Sequence, residues 1–215
     1  MNFKVDKMRI ALFSGGKESY YASIIGGPVD AYVMFIYEFP EPSPHIVNMG
    51  LSVMTGILTG KPVFVKKLTK GKEFDESVKF LRGLGVTSIT AGDVCIEEHL
   101  KYMERLAKEV GAELKEPLWA MNSEEVLIKE VEYGIEALII GIVRNLSNYL
   151  GFVINKENYE TMLSVFKQNN YDVIGERGEY HTLVLNSPNH IKRLNYEVIG
   201  KLLTSRNVIL KLTLL

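Results

Sequence analysis

Ser14-Gly15-Gly16-Lys17-Glu18-Ser19 is the stretch of this chain best equipped for chemistry. Two adjacent glycines let a backbone approach a ligand without Cβ clashes. If a helix opens directly after them, its first amides form a nest for an anion. The hydroxyls of Ser14 and Ser19 add donors, and Lys17 adds a charge that neutralises phosphate. The Gly-x-x-x-x-Gly-Lys spacing of a Walker A loop is absent. The shorter turn suits the pyrophosphate end of a nucleotide. A turn using Gly and Ser for geometry alone is the plainer reading, but the lysine and the two serines favour phosphate.

Other residues carry chemistry with less context. Glu176 and Glu179 lie three apart in a Gly-rich turn. Such a pair can hold a cation or move protons, although alone it reads as exposed turn charge. His181 offers a pKa tunable near neutrality, or a polar strand-edge residue. Gly92-Asp93 follows an apolar run and either faces a ligand or forms an ordinary loop. Cys95, with His99 four residues on, is a nucleophile only if its pKa is depressed; a small residue near a strand end is the plainer reading. Trp119, the single tryptophan, walls a pocket or packs at a junction.

The elements that must position these groups follow from periodicity. Arg9 to Phe13 reads as a buried strand stopping at the glycine turn. A helix over Lys17 to Ile25 ends at Gly26-Gly27-Pro28. Ala31 to Tyr37 is a continuous apolar run of the kind buried in parallel sheets. Pro40, Pro42 and Pro44 mark a loop, and a helix is predicted from His45 to Gly60. Strands over 62–65 and 88–91 alternate with helices over 74–84 and 96–110, the last amphipathic and capped by Gly111. This alternation predicts right-handed crossovers and a doubly wound parallel sheet. Asn122 and Glu125 form a candidate capping box for a helix reaching Gly134. A strand over 137–143, a helix over 159–169 and strands over 182–185 and 208–214 suggest a more antiparallel end region. The expected division is residues 1–120 and 121–215.

Composition narrows the partners. The formal net charge is −1, so no general basic field exists to hold nucleic acid. Lys66, Lys67, Lys70 and Lys72 read as a solvated face. A single cysteine excludes an intrachain disulfide and fits a reducing compartment. No stretch reaches the ~18 apolar residues of a membrane span, and Asp6, Lys7 and Arg9 before the first apolar run do not resemble a signal peptide. The expectation is a cytoplasmic α/β enzyme, with room for a homo-oligomer.

With these residues assembled, a resemblance emerges. The Ser14–Ser19 loop resembles the Ser-Gly-Gly-Lys-Asp-Ser loop of the PP-loop ATP pyrophosphatases. Gly175-Glu176-Arg177-Gly178-Glu179-Tyr180-His181-Thr182, followed by Pro188, resembles the Gly-Glu-Gly-Gly-Glu-aromatic-x-Thr block of the diphthine–ammonia ligases. Pro117-Leu118-Trp119, Leu150-Gly151, His45 and Asn48 also match that family. The resemblance implies an N-terminal PP-loop domain, a smaller C-terminal α/β domain and substrate between them. It implies ATP at Ser14, Gly15, Gly16, Lys17, Glu18, Ser19, Gly92 and Asp93, with Mg²⁺. Catalysis falls to Lys17, Glu176 and Glu179, and substrate contacts to His45, Asn48, Trp119, Gly178 and His181. The implied reaction joins ammonium to the carboxylate of diphthine, a modified histidine of elongation factor 2. An acyl-adenylate forms, and AMP and pyrophosphate are released. The chain of 215 residues shows no separate glutaminase domain, which favours free ammonium over glutamine.

Some positions depart from the family pattern. Glu18 stands for Asp, Arg177 for Gly, and Ala120-Met121 for a Gly-Arg pair, while 145–149 match loosely. Two other readings stay open: a PP-loop ligase acting on RNA or a metabolite, and an ATP-binding module without catalysis. With Cys95 alone, no cysteine pair is present to relay sulfur.

Overall fold

The computed structural model describes residues 7–37 and 42–215; Asp6 and Pro40 lie outside them. Five parallel strands form the first sheet: β1 (Met8–Leu12), β2 (Ala31–Ile36), β3 (Val63–Lys67), β4 (Val86–Thr90) and β5 (Glu113–Lys115), in the order β3-β2-β1-β4-β5. The strand order reverses between β1 and β4, the point where open parallel sheets take ligands at their carboxyl ends. The expected α/β architecture is present. The short edge strand β5 was not legible in the sequence.

Helix α1 (Lys17–Ile25) starts and stops where the glycines predict. Helix α4 (Glu73–Gly83) and α5 (Glu97–Val110) cover the sheet through a cluster containing Ile10, Val33, Leu81, Ile89 and Leu106. Gly111 caps α5 at φ 82°, as expected. Lys67, Lys70 and Lys72 are exposed, in line with a solvated face.

The helix expected from His45 to Gly60 is broken. It forms as α2 (Pro44–Val47) and α3 (Met49–Ile57), with Asn48 between them at φ −111° and ψ 31°. Asn48 Nδ2 donates to the carbonyls of Pro44 and Leu210, each at 2.9 Å, and its Oδ1 accepts from Leu212 N–H at 2.9 Å. A side chain that satisfies strand backbone 162 residues away holds the break open.

Helix α6 (Ser123–Glu132) begins at the predicted cap. Asn122 Oδ1 accepts from the amides of Glu124 and Glu125. Glu125 turns to Lys129 at 3.0 Å rather than back to the cap, so only half of the capping box forms. Strands β6 (Glu136–Val143), β7 (Val153–Ile154), β8 (Tyr180–Asn186), β9 (Tyr196–Leu203) and β10 (Asn207–Leu214) build an antiparallel second sheet, with α7 (Tyr159–Gln168) alongside. The sheets fall on either side of residue 120, but the packing joins them. One core cluster unites Tyr20, Tyr21 and Ala22 of α1 with Val126, Val131 and Phe166. Another seats Leu51 and Leu58 on Leu183, Leu185 and Leu210. Among the described residues, no helix is long and apolar enough to cross a membrane.

Candidate functional site

A cleft of about 790 Å³ opens at the carboxyl ends of β1, β2 and β4, where β8 and the segment before it close the far side. That is ample for a nucleotide-sized ligand. One end is apolar, lined by Leu12, Phe13, Val33 and Phe35 from the strand ends and Phe74 from α4. It offers a surface for a flat ring. The other end is polar, and Ser14, Glu18 and Ser19 border it.

The Ser14–Ser19 turn is held by its own hydroxyls. Ser14 Oγ and Ser19 Oγ are 3.1 Å apart, Gly16 N–H donates to Ser14 Oγ and Ser19 Oγ donates to the Gly16 carbonyl. Gly15 sits at φ 86°, and a Cβ there would lie 2.9 Å from Ser52 Cα. Only glycine fits both constraints. Gly92 is needed for approach instead: a Cβ would come 3.0 Å from the Glu18 carbonyl oxygen. The β4 loop therefore rests on the first turn of α1, and Asp93 faces the same cleft. Strand β8 seals the turn from below, with Val184 N–H donating to the Gly15 carbonyl and Lys17 N–H to Thr182 Oγ1.

Lys17 does not face the cleft. Its side chain is 1% exposed and points into the junction, where Nζ pairs with Glu18 and lies 3.2 Å from Glu130 Oε2. The Tyr180 ring lies 5.3 Å away. Burial opposes the charge, but Glu130 and Glu18 outweigh it and raise the lysine pKa. Burial likewise raises Glu130, a residue the sequence reading passed over.

The two glutamates of the second block separate. Glu176 lines the cleft and accepts from Val94 N–H at 3.0 Å. Burial raises its pKa, and the charges of Glu18 and Asp93 add to the rise. Glu179 is 4% exposed and clips the loop, accepting from Arg177 N–H at 3.0 Å and Asp172 N–H at 3.4 Å. These contacts hold the loop and keep Glu179 out of the cleft lining. Arg177 is exposed and does not line the cleft, whereas Gly178 does.

Asp93, His99 and Glu176 bring ligand atoms within 4.8 Å of one another. His99 Nδ1 is 3.2 Å from Asp93 Oδ1, whose hydrogen bond raises the histidine pKa. Glu116, beside them, accepts from Asp93 N–H at 3.3 Å. Burial and the Asp93 charge push it up to about 8. Cys95 is exposed, and partial burial with Glu176 nearby raises its thiol rather than depressing it.

His45 and His181 also line the cleft, at its floor. Their rings meet edge to face at 5.5 Å. Asn48 is fully engaged by β10, and Trp119 is half-buried in the 117–120 turn away from the lining. Neither lines the cleft.

Residues 7–114 match the family model of the diphthamide synthase N-terminal domain, and residues 122–212 that of the C-terminal domain. The chain belongs to the diphthamide synthase family. That is a family of PP-loop, ATP-dependent ligases, in keeping with a loop from one domain and a glutamate block from the other facing one cleft. No curated protein matches the sequence. Among solved structures, this chain is similar to a predicted subunit of tRNA methyltransferase from Methanocaldococcus jannaschii. The identity is 13% and the TM-score 0.44, over 86% of this chain and 100% of that one.

Proposed function

We propose that this cleft activates the carboxylate of diphthine on elongation factor 2 as an acyl-adenylate and amidates it with ammonium, releasing AMP and pyrophosphate. One observation carries the reading. Ser14, Glu18 and Ser19 of the nucleotide turn share a single cleft with Glu176 of the second block. A nucleotide base would lie against Phe13, Val33 and Phe35, directing its phosphates to the turn and the start of α1. A carboxylate is a poor electrophile; adenylation supplies the leaving group that ammonia displaces.

Asp93 and Glu176 fit Mg²⁺, which takes one or two carboxylates plus substrate phosphates. His99 is not a ligand of that kind, and it holds Asp93 in place. Bound there, the ion would offset charge on the departing pyrophosphate.

The test is product analysis with ATP labelled in the α-phosphate, with and without ammonium and diphthine-bearing elongation factor 2. AMP formed only when both are present is the expected result. AMP formed without either would retain adenylate chemistry and assign a different acceptor, such as RNA or a metabolite. ATP binding without turnover would leave a binding module.

A further inference from the structure

Asp93, His99 and Glu176 come from three separate segments: the loop after β4, the first turn of α5 and the loop before β8. All three line the cleft, none is fully buried, and their ligand atoms lie within 4.8 Å of one another. An ion arriving from solvent therefore reaches each of them. His99 Nδ1 lies 3.2 Å from Asp93 Oδ1. That is long for a charge-assisted hydrogen bond, which runs about 2.7–2.9 Å. It matches two neighbouring ligands of one ion, which stand roughly 3.0–3.4 Å apart when each is about 2.1 Å from the metal.

The backbone fixes each carboxylate. Glu176 Oε1 accepts from Val94 N–H at 3.0 Å, and Asp93 is held through its own amide, which donates to Glu116 Oε2 at 3.3 Å. Such anchoring orients metal ligands before an ion arrives. Charge points the same way. Glu18, Glu73, Asp93 and Glu176 line the cleft, and no lysine or arginine does so among the described residues. Carboxylates crowded without a counter-ion repel one another, and a bound cation removes that cost.

The donor set chooses the ion. Mg²⁺ takes oxygen and keeps several waters, so it would use the two carboxylates and leave His99 aside. First-row transition ions accept imidazole nitrogen alongside carboxylate oxygen. We propose that Asp93, His99 and Glu176 form a three-ligand site for a divalent transition-metal ion of the Mn²⁺ to Zn²⁺ series, filled in the nucleotide-free protein. His99 exchanges its hydrogen bond with Asp93 for a bond to the metal, its proton passing to solvent, and sets the preference over Mg²⁺. Coordination positions that the protein leaves open go to water, or to phosphate oxygens once nucleotide is bound. The site stands on these three side chains and holds whichever acceptor the cleft serves.

The experiment uses the full chain without nucleotide, and Mn²⁺ as the probe. Electron paramagnetic resonance follows free Mn²⁺ during a titration, and electron spin-echo modulation reports whether a nitrogen nucleus is bonded to the bound ion. Stoichiometric binding with an imidazole nitrogen signal is expected. His99→Ala should weaken binding at least about tenfold and abolish the nitrogen signal, while Glu176→Gln should weaken it by a similar factor and keep the signal. The His99 side chain is 56% exposed, so its removal spares the fold. An equal concentration of Mg²⁺ should displace little Mn²⁺ from the wild type and compete evenly only in His99→Ala. Absence of binding without nucleotide, binding without the nitrogen signal, or an affinity unchanged in His99→Ala overturns the site. Even competition by Mg²⁺ in the wild type overturns the preference. None of these readouts involves AMP formation, so their failure is separate from failure of the ligase reading.

Discussion

Lys17 Nζ lies 3.2 Å from Glu130 Oε2, and neither side chain reaches solvent. The lysine of the nucleotide turn thus ties the start of α1 to α6 of the other domain. Removing one member of a buried pair leaves the other charge without compensation. Lys17→Ala is expected to lower unfolding free energy by about 3 kcal/mol and to weaken ATP use through a shifted turn. Lys17→Met combined with Glu130→Leu should recover most of the stability. Urea unfolding of the three proteins checks this; equal losses in the single and double variants would show that the pair is not what holds α6.

Asn48 makes the complementary case of a family-matched residue outside the cleft lining. Its three 2.9 Å bonds pin the α2–α3 break to β10. Asn48→Ala leaves strand groups unpaired in the interior and should destabilise by about 3 kcal/mol. In the variant that remains folded at low temperature, KM for ATP should be unchanged. A raised KM with normal stability would return Asn48 to the binding site.

The parts of the fold legible in the sequence were those with local punctuation. Helix α1 lies between a glycine turn and Gly26-Gly27-Pro28, and α5 ends on Gly111. Elements fixed by distant partners were not legible. The break at Asn48 depends on β10, and β9 carries Glu197, Gly200 and Lys201 on a largely exposed edge, without an apolar run. The site followed the same rule. The turn and Glu176 were readable as motifs, whereas the Asp93–His99–Glu116 cluster comes together only through folding. Glu130 did leave a signal. It shares a helix face with Val126, Leu127 and Val131, and a carboxylate among apolar residues calls for a buried cation.

Glu176 and Glu179 should respond oppositely to neutralisation. Glu176 is crowded by Glu18 and Asp93, and its pKa is raised. Glu176→Gln relieves that repulsion, so melting temperature should hold or rise while AMP formation falls at least about 100-fold. Glu179 instead anchors two loop amides. Glu179→Ala should cost about 2 kcal/mol and cut activity only as the loop loosens. Matching losses of activity at full stability in both would put Glu179 back among the reacting groups.

Ala120 stands at φ 60°, where the resembled ligases carry glycine. Its amide donates to the Val94 carbonyl at 2.9 Å, which fixes the turn beside the acidic cluster. A left-handed conformation costs an L-residue about 1 kcal/mol. Ala120→Gly should therefore raise stability by somewhat less than that, because glycine also loses more freedom on folding. Chemical denaturation of the pair decides; a less stable Gly variant would mean the methyl group packs usefully.

The buried histidines predict acid sensitivity. His45 and His181 titrate near 6.5 when unfolded but at about 3 and about 4 in the folded chain. Between those values the unfolded state binds more protons, so stability falls as pH drops below 6.5. Glu116 acts in the opposite direction. Its pKa rises to about 8 on folding, so its contribution is full below 4.5 and is lost as pH climbs through 8. Comparing variants isolates the histidines from this background. The double variant His45→Asn, His181→Asn should lose less stability than wild type between pH 6.5 and 4.5. The difference is on the order of 3 kcal/mol, or roughly 10 °C in melting temperature. Parallel acid slopes would mean that one or both rings accept protons in the folded cleft.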